Sequence, residues 1–524
     1  MGVIQNPMLS GCYPDPSVCS VIHEDERGQR VDADYYLVNS SFSYVPGVPI
    51  FHSKDLEKWT QIGHVLERKE QFALDGVGMS EGIYAPTIRY HKGIYYMITT
   101  NVPQGGNFYV TAENPAGPWS DPVYLDANGI DPSLYFEGDS CYYVGQRTKE
   151  NAKYFGDCEI WLQELDLEKK KLVGDVYVLW DGSMKHAIWP EGPHLYKRGD
   201  YYYLLIAEGG TAYSHSICVA RSKELTGPYE SCPNNPIFTH RHLGCREKVQ
   251  NVGHGDLVET LSGNWYVVML ATRPLEGCAP LGRETFIAEV QWEDDWPVIN
   301  PGEGKLREMQ EIDAGEAEKS GALQNANEKK VVEWSAPLDM RCVFFRHPES
   351  GVYQIQESKE GNKLALTVGK TGLAEKQSPS YIGIRVTEPV FSLKTGMKYQ
   401  PEGEEEAGLV YLYDEKNYVK MILHLNENGK PELQVKLSEN GQEQIVERAE
   451  LDNRAEVYDM ELILNGLKLT CGVKGRLSAE VDVRNLTSEK TGGFMGCTMG
   501  IYAAGRTEEK ADRYACFSKL ILDY

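Results

Sequence analysis

Ile188-Trp189-Pro190-Glu191-Gly192-Pro193-His194-Leu195, followed by Gly199-Asp200-Tyr201-Tyr202-Tyr203-Leu204-Leu205-Ile206, sets one carboxylate between two prolines just ahead of an aromatic strand. The aromatic pair recurs as Tyr35-Tyr36, Tyr95-Tyr96, Tyr142-Tyr143, Tyr202-Tyr203 and Trp265-Tyr266, at steps of 60, 47, 60 and 63 residues. Each pair opens a short run of strand-forming residues: YYLV, YYMI, YYVG, YYLL and WYVV. Repetition at such a period, with room for several strands per unit, predicts a β-propeller, and five units predict five blades.

A second regularity lies upstream of the pairs. Asp131, Glu191 and His254 each precede their pair by 11 residues; Asp15 precedes its own by 20, with the acidic insert His23–Asp34 between. The second unit has Ala85-Pro86 there, with Ala85 10 residues ahead of its pair. One phase of every blade points to one place in the fold. If that phase belongs to the innermost strand, three carboxylates and a histidine meet at one mouth of the central channel, and the small Ala85 leaves space for a substrate ring. Taken alone, Asp15 between Pro14 and Pro16 reads as a turn aspartate accepting backbone N–H bonds; the shared phase favours the channel. Asp256, two residues past His254, is expected to orient it.

The bulk numbers narrow the function. A length of 524 residues suggests more than one domain. The formal charge of −24 disfavours partners that present phosphate, so neither nucleic acid nor an anionic membrane surface is expected. A neutral substrate fits best. The 32 Tyr, 13 Phe and 9 Trp suit strands and sugar-stacking surfaces. The chain opens Met1-Gly2-Val3-Ile4-Gln5-Asn6-Pro7, without a basic stretch leading into an apolar one, so no secretory signal is read. The longest apolar runs, such as Trp265–Ala271, are too short to span a bilayer. The 12 cysteines are scattered, with no C-x-x-C pair; they read as free thiols in a reducing cytoplasm, with no disulfide framework and no zinc site. A homo-oligomer is compatible with the sequence.

Residues 1–302 form the predicted propeller. Phe42, in Ser40-Ser41-Phe42-Ser43-Tyr44, reads equally as the wall of a sugar pocket or as core. Arg283, in Leu281-Gly282-Arg283-Glu284, reads as a surface ion pair or as a planar guanidinium reaching the channel. Residues 303–330, rich in Glu, Lys, Ala, Gln and Asn, read as an exposed linker. Residues 331–524 alternate strand runs with polar turns, including the hairpin signals Asn426-Glu427-Asn428-Gly429 and Glu439-Asn440-Gly441, and read as a β-sandwich accessory domain. The fold class is therefore all-β, a five-bladed propeller followed by a sandwich.

Carboxylates around a neutral-substrate pocket suit glycosidic bond cleavage. One must be protonated to donate to the leaving oxygen, and one ionised to activate water. A third carboxylate raises the pKa of the acid through its charge. Glu191, with the longest reach, is assigned the acid, Asp15 the base and Asp131 the modulator. An inverting enzyme needs roughly 6.5–9.5 Å between acid and base.

Those residues sit in motifs that resemble the glycoside hydrolase family 43 β-xylosidases with a C-terminal β-sandwich. The resemblance rests on Tyr13-Pro14-Asp15-Pro16-Ser17, His52-Ser53-Lys54-Asp55-Leu56, Gly82-Ile83-Tyr84-Ala85-Pro86, Ile130-Asp131-Pro132-Ser133, Trp189 to Lys197, Ala207-Glu208-Gly209-Gly210-Thr211, Gly253-His254-Gly255-Asp256 and Gly282-Arg283-Glu284. It implies inverting, exo-acting release of xylose from the non-reducing end of β-1,4-xylo-oligosaccharides. α-L-Arabinofuranosidase action on arabinoxylo-oligosaccharides is the alternative, and a non-catalytic carbohydrate-binding propeller is a further one. The resemblance also implies the same three roles for Asp15, Asp131 and Glu191, substrate contacts for His254 and Arg283, walls at Phe42 and Ala85, and a capping residue at Phe494 on the sandwich. No cofactor is required. Relatives often start the sandwich with an acidic Asp-Phe-Asp-type motif, sometimes linked to calcium. Here that stretch reads Val331-Val332-Glu333-Trp334-Ser335, so structural calcium is not supported and no metal ligand is assigned.

Overall fold

Each aromatic pair falls on the second strand of a blade, where its two rings face opposite neighbours. Tyr201–Glu208 shows why. Side chains alternate across a strand, so Tyr202, Leu204 and Ile206 pack with Tyr135, Val144 and Leu162 of the preceding blade. Tyr203 and Leu205 pack with Val267, Met269 and Phe286 of the following one. Burial on both faces explains the continuous apolar run, and each fully buried Leu or Ile contributes about 1.5–3 kcal/mol. The same division closes the ring between the first and last blades, where Tyr35 and Leu37 pack with Tyr266 and Val268. Tyr36 turns the other way, its ring 5.1 Å from that of Tyr95.

The computed structural model describes residues 2–315, 330–359, 361–451, 456–505 and 513–524. The five blades are antiparallel sheets whose strands follow one another in chain order. Their first strands are Ser17–Glu24, Thr87–His91, Ser133–Glu137, Glu191–Arg198 and Gln250–Glu259. These first strands pack against one another around the axis, so the residues just before them lie at one mouth of the channel.

The stretch read as a linker begins as part of the propeller. Met309–Ile312 pairs antiparallel with Gly2–Gln5, and Asn6 ties that ribbon to the last blade through hydrogen bonds with Ile287 (2.9 and 3.0 Å). Residues 316–329 of the stretch lie outside the described residues.

Beyond it, a nine-stranded sheet packs on a second sheet of seven strands, which an eighth from the propeller extends, to form the sandwich. Asn440 and Gly441, both with positive φ (52° and 80°), close the hairpin between Pro431–Glu439 and Gln442–Glu450, the backbone that a two-residue turn requires. The sandwich docks tightly on the propeller. Its strand Cys342–Phe345 pairs with Tyr44–Val45 of the first blade. Arg385 donates to the Cys12 carbonyl (3.1 Å) and lies 4.6 Å over the rings of Tyr13 and Tyr44. Gly282 meets Gly496 so closely that a Cβ on Gly282 would lie 2.8 Å from the Gly496 Cα. That approach brings the loop carrying Phe494 to the mouth of the channel.

Candidate active site

Asp15, Asp131 and His254 share a left-handed backbone, with φ of 52°, 54° and 51°. In the fourth blade Trp189 (φ 56°) takes that conformation two residues before Glu191. Aspartate tolerates this region better than most residues, and histidine is also enriched there. Such a conformation costs on the order of 1–3 kcal/mol per residue and persists where the surroundings enforce it. Pro14, Pro16, Pro132, Pro190 and Pro193 restrict the same turns.

The four blades thus deliver Asp15, Asp131, Glu191 and His254 to one cavity of about 70 Å³, which Phe42, Ala85, Arg283 and Phe494 also line. All eight site residues read from the sequence therefore come together. Asp15 is 6% exposed and Asp131 7%, so their ionisation is decided by neighbours rather than by water.

The carboxylates are not equivalent. Asp15 accepts from Arg283 Nη1 at 2.9 Å and from Ser40 Oγ at 2.7 Å, and His254 Nδ1 lies 3.9 Å away. Burial pushes its carboxyl up, but the Arg283 guanidinium, His254 and the Ser40 hydroxyl outweigh burial and hold it below its ordinary value. Neither Asp131 nor Glu191 has a side-chain hydrogen-bond partner among the described residues. Burial pushes Glu191 up to about 8; the charge of Asp15 adds to the rise and Arg283 opposes it. Burial also raises Asp131, helped by the charges of Glu191 and Asp15. At neutral pH the site therefore holds one ionised carboxylate, pinned by arginine, opposite a carboxyl pair that retains a proton.

Arg283 is held from several sides. Its Nη1 also donates to Thr211 Oγ1 (3.2 Å). Its guanidinium carbon lies 5.7 Å from the ring centre of Phe42 and 5.3 Å from that of Phe494. The two phenylalanine rings are nearly parallel, 17° apart, with centroids 6.2 Å apart, and Tyr84 meets both edge-on at 5.7 and 5.8 Å. Phe494 is fixed in turn by its backbone N–H, which donates to Ser80 Oγ at 3.0 Å. Phe42 is thus both pocket wall and core.

Asp256 does not orient His254. Two residues farther along the innermost strand, it lies deeper in the channel and is fully buried. It accepts from Ser17 Oγ (2.7 Å), from Tyr196 OH (2.5 Å) and from Arg89 through Nη1 and Nη2 (2.8 and 3.1 Å). Arg89 Nη2 also lies 2.8 Å from His194 Nδ1. This network joins the innermost strands of four blades beneath the site. Removing one partner of a buried pair leaves the other charge uncompensated, so Arg89→Met is expected to destabilise the fold by about 3–5 kcal/mol. Denaturant unfolding followed by tryptophan fluorescence checks this; an unchanged midpoint would contradict a structural role for the pair.

Sequence reasoning missed Ser40, Tyr84, Ile130, Thr211 and His215 as members of the site. Ser40, Tyr84, Ile130 and Thr211 lie inside motifs that were noticed without a role; nothing in the local sequence marks His215. As for metals, His23, Asp32 and Asp34 form a cluster across the first two strands of the first blade. His52 already contacts Asp34 (2.6 Å), and the Lys54 ammonium contacts Asp32 and Asp34 (2.6 and 2.9 Å). A cation supplied by the chain thus neutralises those carboxylates.

The chain matches known proteins throughout its length. The profile described as glycosyl hydrolases family 43 covers residues 4–297, and that described as the beta xylosidase C-terminal concanavalin A-like domain covers residues 334–521. A protein of Butyrivibrio fibrisolvens described as a xylosidase/arabinosidase is 45% identical over 99% of both chains. A non-reducing end alpha-L-arabinofuranosidase of Bacteroides ovatus is 35% identical over 96% of this chain and 91% of its own. The crystal structure of a xylan beta-1,4-xylosidase from Bacillus halodurans superposes with a TM-score of 0.88 at 31% identity, covering 99% of this chain and 100% of that one. With its blades, its convergent carboxylates and its docked sandwich, the chain belongs to glycosyl hydrolase family 43.

Proposed function

We propose that the protein is an exo-acting, inverting glycoside hydrolase that removes xylose from the non-reducing end of β-1,4-xylo-oligosaccharides. The observation that carries this is the split protonation of the carboxylates around a capped cavity. Asp15, ionised, takes the proton of a water as it attacks the anomeric carbon. Glu191, protonated, donates to the departing glycosidic oxygen. Asp131 shares the charge burden of the pair and keeps the proton on the acid. Arg283 lowers the base without neutralising it and presents donors to ring hydroxyls. The Phe494 loop supports exo action, because it closes one side of the cavity to a chain that would run through.

α-L-Arabinofuranosidase action on arabinoxylo-oligosaccharides is the second reading, favoured by the names of the Butyrivibrio and Bacteroides relatives. A pentofuranose presents a similar set of hydroxyls to the same groups. Proton NMR during hydrolysis of xylobiose tests the first reading: α-xylose is expected to appear before mutarotation. The departing reducing-end xylose carries its own equilibrium mixture of anomers, so β-xylose in excess of that mixture would overturn inversion. An inert xylobiose with rapid release of arabinose from an arabinofuranoside would select the second reading.

The pH profile follows from the same groups. Activity is expected to fall below the lowered pKa of Asp15, as the base protonates, and above about pH 8, as the Glu191 pair loses its proton. Asp131→Asn removes a neighbouring negative charge and is expected to move the alkaline limb to lower pH. A limb that stays in place would remove Asp131 from the modulator role.

We place the enzyme in a reducing cytoplasm. Its 12 cysteines are all free and 10 of them are buried, which supports their use as small apolar side chains.

A further inference from the structure

One wall of the cavity holds an acceptor without a donor and a donor without an acceptor. His215, 1% exposed, lines the cavity. Its Nδ1 lies 2.9 Å from the Asn251 carbonyl, so the proton of the neutral ring sits on Nδ1 and Nε2 is left as an acceptor. Nε2 is buried and has no partner among the described residues, and the same is true of Arg283 Nε, a donor. Each orphan is destabilising while it stays unpaired.

The histidine is well held. Its backbone N–H donates to Ala212 O (2.9 Å), and its carbonyl accepts from Thr239 Oγ1 (2.7 Å). Its ring packs so closely on Gly253 that a Cβ there would collide with it. Burial, reinforced by His254 and Arg283 against the pull of Asp15 and the Asn251 carbonyl, lowers His215 to about 4, so the ring is neutral at ordinary pH.

We propose that His215 is a positioning residue for Arg283: when a sugar fills the cavity, the Arg283 Nε–H donates to His215 Nε2. This contact fixes the guanidinium plane while its outer nitrogens hold Asp15 and the sugar. The inference rests on the hydrolase reading above. Asp15 is faced by Arg283, His254, His215, Asp131 and Glu191, with Tyr84 and the Cys12 thiol beyond. Arg283 is the strongest of the groups that hold its pKa down. A guanidinium that swings loses part of that hold.

The test compares His215→Gln, which keeps an acceptor at the Nε2 position, with His215→Phe, which does not. Both remove the titrating ring, so their difference reads the acceptor alone. His215→Phe is expected to lose about 10–100-fold in kcat on an aryl xyloside, the scale of a misplaced catalytic group. Its acidic limb of kcat/KM is expected to move to higher pH. His215→Gln is expected to recover most of the rate and to keep its limb below that of the Phe variant. His215→Leu stands in if the Phe variant does not fold. Equal rates and limbs in the Gln and acceptor-free variants, with an active wild type, overturn the positioning role alone. A wild type that hydrolyses neither xylosides nor arabinofuranosides overturns the hydrolase reading and this inference with it.

Discussion

Glu191→Ala is expected to lose about 10²–10⁴-fold in kcat on xylobiose, the range that a positioned general acid contributes, while losing much less on an activated aryl xyloside. The reducing-end xylose of xylobiose departs as a sugar alkoxide unless its glycosidic oxygen is protonated, so the transition state depends on the proton that Glu191 holds. A nitrophenolate leaves without help. The setting fits the role: Glu191 lies between Pro190 and Gly192 at the start of an innermost strand, with its carboxyl raised to about 8 mainly by burial. An acid with an ordinary glutamate pKa would be almost wholly ionised at neutral pH. The alanine variant should also lose the alkaline limb on the aryl substrate, because the group that titrates there is gone. Steady-state kinetics on both substrates across pH decides the matter. Equal losses on the two would remove Glu191 from the acid role, whatever its effect on stability.

The fold was legible because a propeller blade writes the same demands into each repeat. The second strand of a blade is buried on both faces, so its pattern is a continuous apolar run rather than an alternation. The aromatic pair at its start serves two neighbours at once, as Tyr35 and Tyr36 do. The site was legible for a related reason. Residues that precede the innermost strands by a fixed offset reach one mouth, and Asp15, Asp131 and His254 even share one backbone conformation.

Other features depend on distances along the channel or on pairing across the whole chain, which a local pattern does not encode. Asp256 looked like a partner of His254 because it is two residues away, yet one further step down a strand, about 7 Å, gives it to Arg89. Met309–Ile312 carries too few apolar residues to announce itself as a strand; it forms because Gly2–Gln5 offers an open edge. His215 enters the site from just before the third strand of the fourth blade, Ser216–Ser222, outside the repeated phase. Phe494 could be placed only through the family resemblance, since it reaches the cavity by the docking of one domain on another.

Asp15→Asn is expected to lose about 10²–10⁴-fold in kcat on xylobiose and on the aryl xyloside alike. The attacking water must give up a proton whichever group leaves, so a good leaving group offers no rescue. That pattern, set beside the selective loss of Glu191→Ala, separates base from acid without a bound ligand. The substitution preserves size, and with the amide oxygen accepting from Arg283 the amide nitrogen can donate to Ser40 Oγ in place of the bond it loses, so loss of the side-chain packing does not explain the effect. It also changes the electrostatics in a defined direction. The Asp15 charge is the second cause, after burial, of the raised Glu191 carboxyl. With a neutral amide in its place, and Arg283 no longer offset, the carboxyl pair should ionise at lower pH. The residual activity of Asp15→Asn should therefore decline on the alkaline side at a lower pH than the wild type, while its acidic limb, which belonged to Asp15 itself, disappears. An Asn variant that keeps a wild-type rate on the aryl substrate would show that Asp15 does not activate water, and the assignment of the three carboxylates would have to be rebuilt from the Asp131–Glu191 pair.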